Sequence, residues 1–124
     1  MRNFLLVGLG GFLGSVSRYY LSGVVVRASG ASRFPWGTLA VNLLGCFVMG
    51  LLAGLAERWH VLSPSARLLL FTGLLGGFTT FSAFAFETYF LAREHAWPAA
   101  VANVVLQVIA GLALLWLGHL VTSR

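Results

Sequence analysis

Four apolar segments occupy most of this chain, and each is long enough to cross a lipid bilayer. Hydrophobic residues make up 59% of the 124 positions, and charged residues only 9%. A helix needs about 20 apolar residues to span roughly 30 Å of hydrocarbon. A soluble domain of this length has no interior large enough to hide so much apolar surface. The sequence therefore predicts an all-α membrane protein, a single four-helix domain over residues 1–124, with spans at about 3–26, 36–56, 66–91 and 97–121.

Serine and proline mark where the second and third spans begin. Pro35 suits the entry to the second span. Ser63 precedes Pro64, and this order is typical of a helix start, because serine caps the free N–H groups and proline fits the first turn.

The third apolar segment is poorly suited to an unbroken helix that faces lipid. Glycine weakens a helix, and threonine side chains are stiff and bond to backbone. Non-helical backbone at membrane depth persists only where it is buried in protein or lines a wet cavity. We therefore expect a broken third helix around Gly76 to Thr79, which marks a candidate ion or substrate site. The residues that suggest the break are Gly76, Gly77, Thr79, Thr80 and Ser82.

Amide and hydroxyl side chains lie inside the second and fourth spans. Thr38 and Asn42 are four residues apart and share a helix face. Their three donor hydrogens can replace part of an anion's hydration, and an ordinary interhelical hydrogen bond is the equally open alternative. Asn103 and Gln107 have the same spacing. Two amides on one face need a partner or water, so we expect a polar pathway there.

One arginine and one glutamate also lie within spans. Charge at membrane depth costs a few kcal/mol, which favours a functional or ion-pair role for Arg18. Its side chain either snorkels toward headgroups or faces a watery vestibule. Glu87 shares a helix face with Phe84, and it either pairs with an arginine or lines a pore mouth.

Phe81 and Phe84 are three residues apart, a spacing that usually means core packing. Aromatic rings have a positive edge, so rings presented edge-on can also stabilise a small anion that has lost its water. Carbonyl oxygens freed by two symmetry-related breaks can coordinate a small hard cation.

The charged residues suggest a chain with little preference for one orientation. Lysine is absent, and the net charge is +5. Loops alternate sides, which places four arginines on one face and three on the other, so there is almost no positive-inside bias. Two copies can then pair antiparallel as a two-fold dimer, and the alternative is a single, weakly set orientation. The two sets are Arg2, Arg58, Arg67 and Arg124 against Arg27, Arg33 and Arg93.

Glycines four residues apart predict close helix packing, and no pattern indicates an enzyme. The glycine pairs are Gly10 and Gly14, Gly50 and Gly54, and Gly73 and Gly77. No nucleophile set, metal-ligand spacing or phosphate loop is present. The single cysteine, Cys46, lies in an apolar run and is expected to pack as a small hydrophobe.

Four blocks of sequence together resemble the Fluc fluoride channels, also called the CrcB family, over nearly the whole chain. The first three blocks, in this order and in a four-span chain, are highly specific. They are residues 10–19 (GGFLGSVSRY), 37–45 (GTLAVNLLG) and 73–84 (GLLGGFTTFSAF), and the fourth begins at Asn103.

The resemblance implies a passive, fluoride-selective channel in the bacterial inner membrane that exports fluoride from the cytoplasm and protects against its toxicity. It implies antiparallel, dual-topology homodimers with two pores and a structural sodium ion. The expected partners are fluoride, membrane lipid and a second copy of the chain, and nucleic acid is not expected.

By position, the resemblance also assigns site residues. Phe81 and Phe84 match pore-lining phenylalanines, and Asn42 matches the pore asparagine. The backbone carbonyls of Gly76 and Thr79 match the sodium ligands. Polar positions beside the ion path are matched by Thr38, Ser82, Thr80, Glu87 and Arg18.

The chain departs from the family on the fourth helix. Members often carry a tyrosine and serines there, where this chain has Asn103, Gln107 and Gly111. Two alternatives to a fluoride channel stay open. A small, dual-topology, proton-coupled exporter of the multidrug type needs an essential carboxylate near the midplane, and only Glu87 is available. The other alternative is a non-transporting subunit that packs against other helices.

Overall fold

The computed structural model describes residues 1–30, 32–59 and 62–123, apart from the side chain of Trp59. Arg124, one of the arginines in the charge balance, lies outside the described residues. The helices are α1 (Arg2–Ala28), α2 (Trp36–Trp59), α3 (64–78), α4 (Phe81–Arg93) and α5 (Trp97–Ser123). Helix α3 joins Pro64–Arg67, a π-helical segment Leu68–Leu75, and Gly76–Phe78. Helix α5 joins Trp97–Val105, a π-helical turn Leu106–Ala110, and Gly111–Ser123.

Four segments of the structure are long and apolar enough to cross a membrane, which confirms that part of the prediction. They are Arg2–Ala28, Trp36–Arg58, Pro64–Arg93 and Trp97–Ser123, each within two residues of the expected bounds. Their mean hydropathy lies between 1.3 and 2.2. Helices α3 and α4 together form the third of these spans.

The start of α3 is capped as the sequence predicts. Ser63 Oγ accepts a hydrogen bond from the Ala66 backbone N–H at 3.2 Å, and Pro64 occupies the first turn. The cap satisfies one of the N–H groups that every helix start leaves without a partner.

Glycine allows the spans to pack in two close pairs, α1 with α3 and α2 with α5. A Cβ atom on Gly14 would overlap the carbonyl oxygen of Leu74 in α3. One on Gly50 would overlap the carbonyl oxygen of Leu115 in α5, and one on Gly118 that of Phe47. The prediction of close packing is confirmed at Gly14 and Gly50, and Gly118 adds a close approach that the glycine pairs did not include. Helix α1 also contacts α2, and α4 contacts the first part of α5.

The protomer buries few large side chains and exposes many apolar ones. Leu39, Val41, Leu75 and Phe78 are among the few buried apolar residues. Large apolar side chains on every span are exposed, and in a bilayer they face lipid or another subunit. Among the described residues, the only buried polar side chains are Thr38 and Asn103, and both were candidate site residues.

Candidate functional site

The third span is broken at Thr79 and Thr80, where the backbone is extended. Thr79 has φ −82° and ψ 151°, and Thr80 has φ −146° and ψ 111°. The prediction of a broken third helix is confirmed, with the break at the end of the expected stretch. Gly76 and Gly77 remain helical. A Cβ on Gly77 would lie 2.6 Å from the Gly11 carbonyl oxygen, so this glycine serves close packing with α1 rather than the break itself.

A single side chain, Asn42 of α2, satisfies both backbone polar groups of Thr80 at the break. Its Oδ1 accepts from the Thr80 N–H at 2.8 Å, and its Nδ2 donates to the Thr80 carbonyl at 3.1 Å. The same Nδ2 also donates to Gln107 Oε1 in α5 at 2.9 Å. Asn42 thereby joins three spans. The interhelical hydrogen bond, one of its two sequence-based interpretations, is present.

The hydroxyls of Thr79 and Thr80 form hydrogen bonds with backbone groups at the end of α3 and the start of α4. Thr79 Oγ1 donates to the Leu75 carbonyl at 2.9 Å. Thr80 is the N-cap of α4, and its Oγ1 accepts from the Ala83 N–H at 3.2 Å. Ser82 Oγ, which is exposed, lies 3.3 Å from Thr80 Oγ1. The break is therefore held by hydrogen bonds.

The Phe cavity, of about 290 Å³, lies beside the break between α2, α4 and α5. Its lining includes Asn42, Cys46, Thr80, Phe81, Phe84 and Gln107. The two phenylalanine rings meet edge to face, with centroids 5.4 Å apart and planes at 63°. Phe81 is 78% exposed in the protomer, whereas Phe84 is half-buried. Its exposure argues against a core-packing role for Phe81 within one copy.

The Arg cavity, of about 420 Å³, lies on the other side of the break. Its lining includes Arg18, Arg27, Ser22, Thr38 and Thr80. Arg18 is half-buried, and its Nε is enclosed without a hydrogen-bond partner among the described residues. Thr80 borders both this cavity and the Phe cavity. The break therefore lies between a basic cavity and an aromatic one.

Glu87 borders a third cavity near the end of α4 and bonds to Thr38, which lines the Arg cavity. Thr38 Oγ1 donates to Glu87 Oε1 at 2.6 Å, and Glu87 borders a space of about 270 Å³ together with Arg33 and Glu94. The sequence suggested either an ion pair with an arginine or a place at a pore mouth. Within the described residues, no arginine forms an ion pair with Glu87. Thr38 stands only two residues after the start of α2, so Glu87 lies near an end of the bundle.

Asn103 and Gln107 occupy different environments in the structure, although the sequence places them on one stripe. Asn103 is fully buried, and its Nδ2 donates to Thr88 Oγ1 at 2.9 Å, while Gln107 borders the Phe cavity. Gln107 lies in the π-helical turn Leu106–Ala110, about one turn along α5 from Asn103. Their roles in an ion path stay predictions.

Some residues at these cavities were absent from the sequence-based set. Cys46 lines the Phe cavity four residues after Asn42, and Arg27 lines the Arg cavity beside Arg18. The four-residue spacing was a usable signal for Cys46. No local pattern distinguishes Arg27 from a loop arginine, or identifies Thr88 as the partner of Asn103.

The carbonyl groups before the break have the chemistry that a hard monovalent cation needs. In a continuous helix the Thr80 N–H would bond to the Gly76 carbonyl, but here it bonds to Asn42 instead. The Gly76 oxygen therefore loses its usual helical donor. No cluster of three or more His, Cys, Asp or Glu side chains suited to a metal exists within the described residues. Any cation here would rely on carbonyl oxygens such as those of Gly76 and Thr79, which suit hard ions.

The fold and the site define a class, a helical membrane protein with four spans, a break in the third, and cavities between the spans that a few polar side chains border. The chain belongs to the CrcB family, because residues 5–119 match the family described as CrcB-like protein, Camphor Resistance (CrcB). This agrees with the resemblance found in its sequence blocks.

Curated relatives of this chain carry the name fluoride-specific ion channel FluC. One from Methylobacillus flagellatus is 52% identical over 118 residues, which is 95% of this chain and 92% of the relative. Another from Shewanella frigidimarina is 47% identical over 125 residues, covering 100% and 99% of the two chains. A third, from Nitratidesulfovibrio vulgaris strain DP4, is 45% identical over 118 residues, covering 95% and 94%.

Proposed function

We propose that this protein is a fluoride-selective passive ion channel that exports fluoride from the cytoplasm and so protects the cell against fluoride toxicity. It acts in the bacterial inner membrane as an antiparallel, dual-topology homodimer with two pores. The family and the names of its relatives support the ion. The observation that carries the proposal is a row of three cavities in which Thr80 borders the first two and a hydrogen bond links Thr38 of the Arg cavity to Glu87 of the third.

The chemistry of the Arg cavity and the Phe cavity suits a small anion. Arg18 and Arg27 give the Arg cavity a positive field, and the Phe cavity has no acidic residue in its lining. Ring edges and amide groups in the Phe cavity can replace part of the water that fluoride must lose. Conduction also needs sites that do not hold the ion too tightly, and weak aromatic contacts meet that need.

A second copy of the chain is part of the proposal. Phe81 is 78% exposed in one protomer, so a partner subunit is needed to enclose its ring within a pore. In an antiparallel pair, the Gly76 and Thr79 carbonyls of both copies meet near the two-fold axis and hold a structural sodium ion. The break at Thr79 and Thr80, which removes the helical donor from Gly76, supports this assignment.

Fluoride efflux from sealed liposomes tests the function directly. Purified protein reconstituted in vesicles loaded with potassium fluoride is expected to release fluoride when valinomycin lets potassium follow. Release is expected without a proton gradient, and vesicles loaded with chloride are expected to retain it. Absence of fluoride release would reject the channel. Release that requires a proton gradient would favour a proton-coupled exporter, with Glu87 as its carboxylate.

A further inference from the structure

The polar side chains around the break have fewer free donor hydrogens than their number suggests. A hydroxyl has one donor hydrogen and an amide has two. Thr38 gives its hydrogen to Glu87, and Asn42 gives both of its hydrogens, one to the Thr80 carbonyl and one to Gln107 Oε1. Thr80 and Ser82 share one hydrogen between their hydroxyls, which leaves one for the pair. Asn42 therefore has no N–H left for an anion.

The Thr80 backbone fixes the orientation of Asn42. The Thr80 N–H needs an acceptor, which is Asn42 Oδ1, and the Thr80 carbonyl needs a donor, which is Asn42 Nδ2. The Asn42 oxygen and nitrogen therefore cannot exchange places. The second Nδ2 hydrogen then faces α5, where it requires an acceptor. Gln107 supplies that acceptor, because its Oε1 points toward Asn42 Nδ2. The break thus sets the orientation of Asn42, and Asn42 sets that of Gln107.

Gln107 Nε2 is the amide donor that this arrangement leaves free. The atom is enclosed, and it has no hydrogen-bond partner among the described residues. A buried donor without an acceptor is unfavourable, so such a group favours an acceptor that enters the site. Gln107 lies in the π-helical turn of α5, and π turns occur frequently at functional sites.

The surroundings of Gln107 favour an anionic acceptor over a cation. It shares the Phe cavity with Phe81 and Phe84, and no acidic side chain lines that cavity. Nε2 has almost no solvent-accessible surface in the protomer, so even an ion the size of a water molecule reaches it only when neighbouring side chains move, and a larger anion needs a larger displacement.

We propose that Gln107 presents the amide N–H to the anion in this chain, and that Asn42 is a positioning residue that holds the break and orients Gln107. The inference rests on the proposed function for the identity of the anion. The anion-facing amide N–H, which the sequence suggested at Asn42, is thereby assigned to Gln107 on the fourth span.

Side-chain amide NMR tests the assignment without relying on transport. Gln107 is the only glutamine in the chain, so glutamine labelled with ¹⁵N at its side chain gives one NH₂ group. Titration with sodium fluoride at pH 7 is expected to move a Gln107 Nε2–H proton signal downfield and to saturate. Sodium chloride at the same ionic strength is expected to leave it unchanged.

Labelled asparagine provides the comparison. The chain has three asparagines, Asn3, Asn42 and Asn103, and an Asn42→Ser variant identifies the Asn42 signal. The Asn42 signal is expected to shift much less than that of Gln107. No fluoride-dependent shift at Gln107, or an Asn42 shift as large as that of Gln107, would overturn the proposal.

Efflux from variants gives a second, independent measurement. Gln107→Met keeps the length of the side chain without the donor, and it is expected to slow fluoride efflux at least tenfold while the dimer still assembles. Gln107→His offers one acceptor and one donor nitrogen, and it is expected to retain more flux than Gln107→Met. Leu112→Met, at an exposed position on the same helix, is the matched control.

These measurements separate failure of the inference from failure of the proposed function. If the wild-type protein releases fluoride and Gln107→Met releases it at the same rate, the assignment to Gln107 is wrong and the channel function stands. If the wild-type protein releases none, the channel function fails, and the NMR titration still decides whether Gln107 binds the anion.

Discussion

At the scale of single residues, Asn42 shows how one side chain permits a helix to break at membrane depth. In hydrocarbon, each unsatisfied backbone group costs several kcal/mol, because no water is present to replace the lost bond. Asn42 matches both the N–H and the carbonyl of Thr80, since an amide carries an acceptor and a donor side by side. A shorter hydroxyl side chain at this position cannot satisfy both groups.

Removing the Asn42 amide is expected to destabilise the fold as well as stop transport. Asn42→Ala leaves two Thr80 groups without partners, and each orphaned group costs about 1–3 kcal/mol. The free energy of unfolding, measured by denaturant titration in mixed micelles, is expected to fall by about 2 kcal/mol or more. Asn3→Ala, at an exposed position, is the control. Equal stability of the two variants would contradict the role of Asn42 at the break.

Replacing the exposed phenylalanine of the Phe cavity is expected to affect transport alone. Phe81→Ile removes the ring edge but keeps an apolar side chain, and Phe81 contributes little to the interior of the protomer because it is 78% exposed. Fluoride efflux is expected to drop at least a hundredfold, with dimer assembly by size-exclusion chromatography unchanged. Wild-type flux in this variant would remove Phe81 from the ion path.

At the scale of elements, glycine sets how closely the spans approach each other, and polar caps set where the third span breaks. Without a hydrophobic driving force between helices, close van der Waals packing holds membrane helices together. Gly10 and Gly14 bring α1 against α3, and Gly50 and Gly118 bring α2 against α5. This packing leaves α4 to contact the first part of α5, and the Phe cavity lies beside that contact.

Substitution at a packed glycine is expected to separate α2 from α5. Gly50→Ala places a methyl group against the backbone of Leu115 and His119, neither of which can move without shifting the helix. Overpacking of this kind costs about 1–3 kcal/mol. Gly8→Ala is the matched control, because nothing lies within 4 Å of its added Cβ. In the same micelle titration, Gly50→Ala is expected to be less stable than wild type, and Gly8→Ala at least as stable.

At the scale of the whole molecule, a single protomer does not enclose the Phe cavity or bury a large core. Few large side chains are buried, Phe81 is open to the surroundings, and the four spans enclose little interior. The arginine balance of the loops, four against three, gives the insertion machinery almost no signal for orientation. These two features support the antiparallel pair of the proposed function.

Labelling from one side of the membrane tests the dual orientation. In a Cys46→Ser background, Ser29→Cys places a thiol in the exposed segment between α1 and α2. A membrane-impermeant maleimide is expected to label about half of the copies in intact cells and the remainder after permeabilisation. The Cys46→Ser protein without the new thiol is the control. Complete labelling, no labelling, or crosslinks only between parallel copies would contradict the antiparallel dimer.

Much of the fold and part of the site could be predicted from the sequence. The length and apolarity of the four segments determined the spans, because the hydrocarbon of a bilayer favours apolar helices of about 20 residues. Ser63 and Pro64 determined the start of the third span, and Thr79 and Thr80 marked its break through local backbone chemistry, whereas Gly76 and Gly77, which were also expected at the break, remain helical. Polar residues in apolar spans also identified Thr38, Asn42 and Gln107, because such groups require partners in hydrocarbon.

Only the tertiary structure decided which of these polar groups meet and which donors remain free. The bond from Thr38 to Glu87 joins positions 49 residues apart, and that from Asn42 to Gln107 joins positions 65 apart. No local pattern encodes such pairs. Asn103 bonds to Thr88 and Gln107 bonds to Asn42, although the two residues share one stripe of α5 in the sequence. The sequence by itself determined that polar groups lie within the membrane, and three-dimensional packing decided which of their hydrogens are already used.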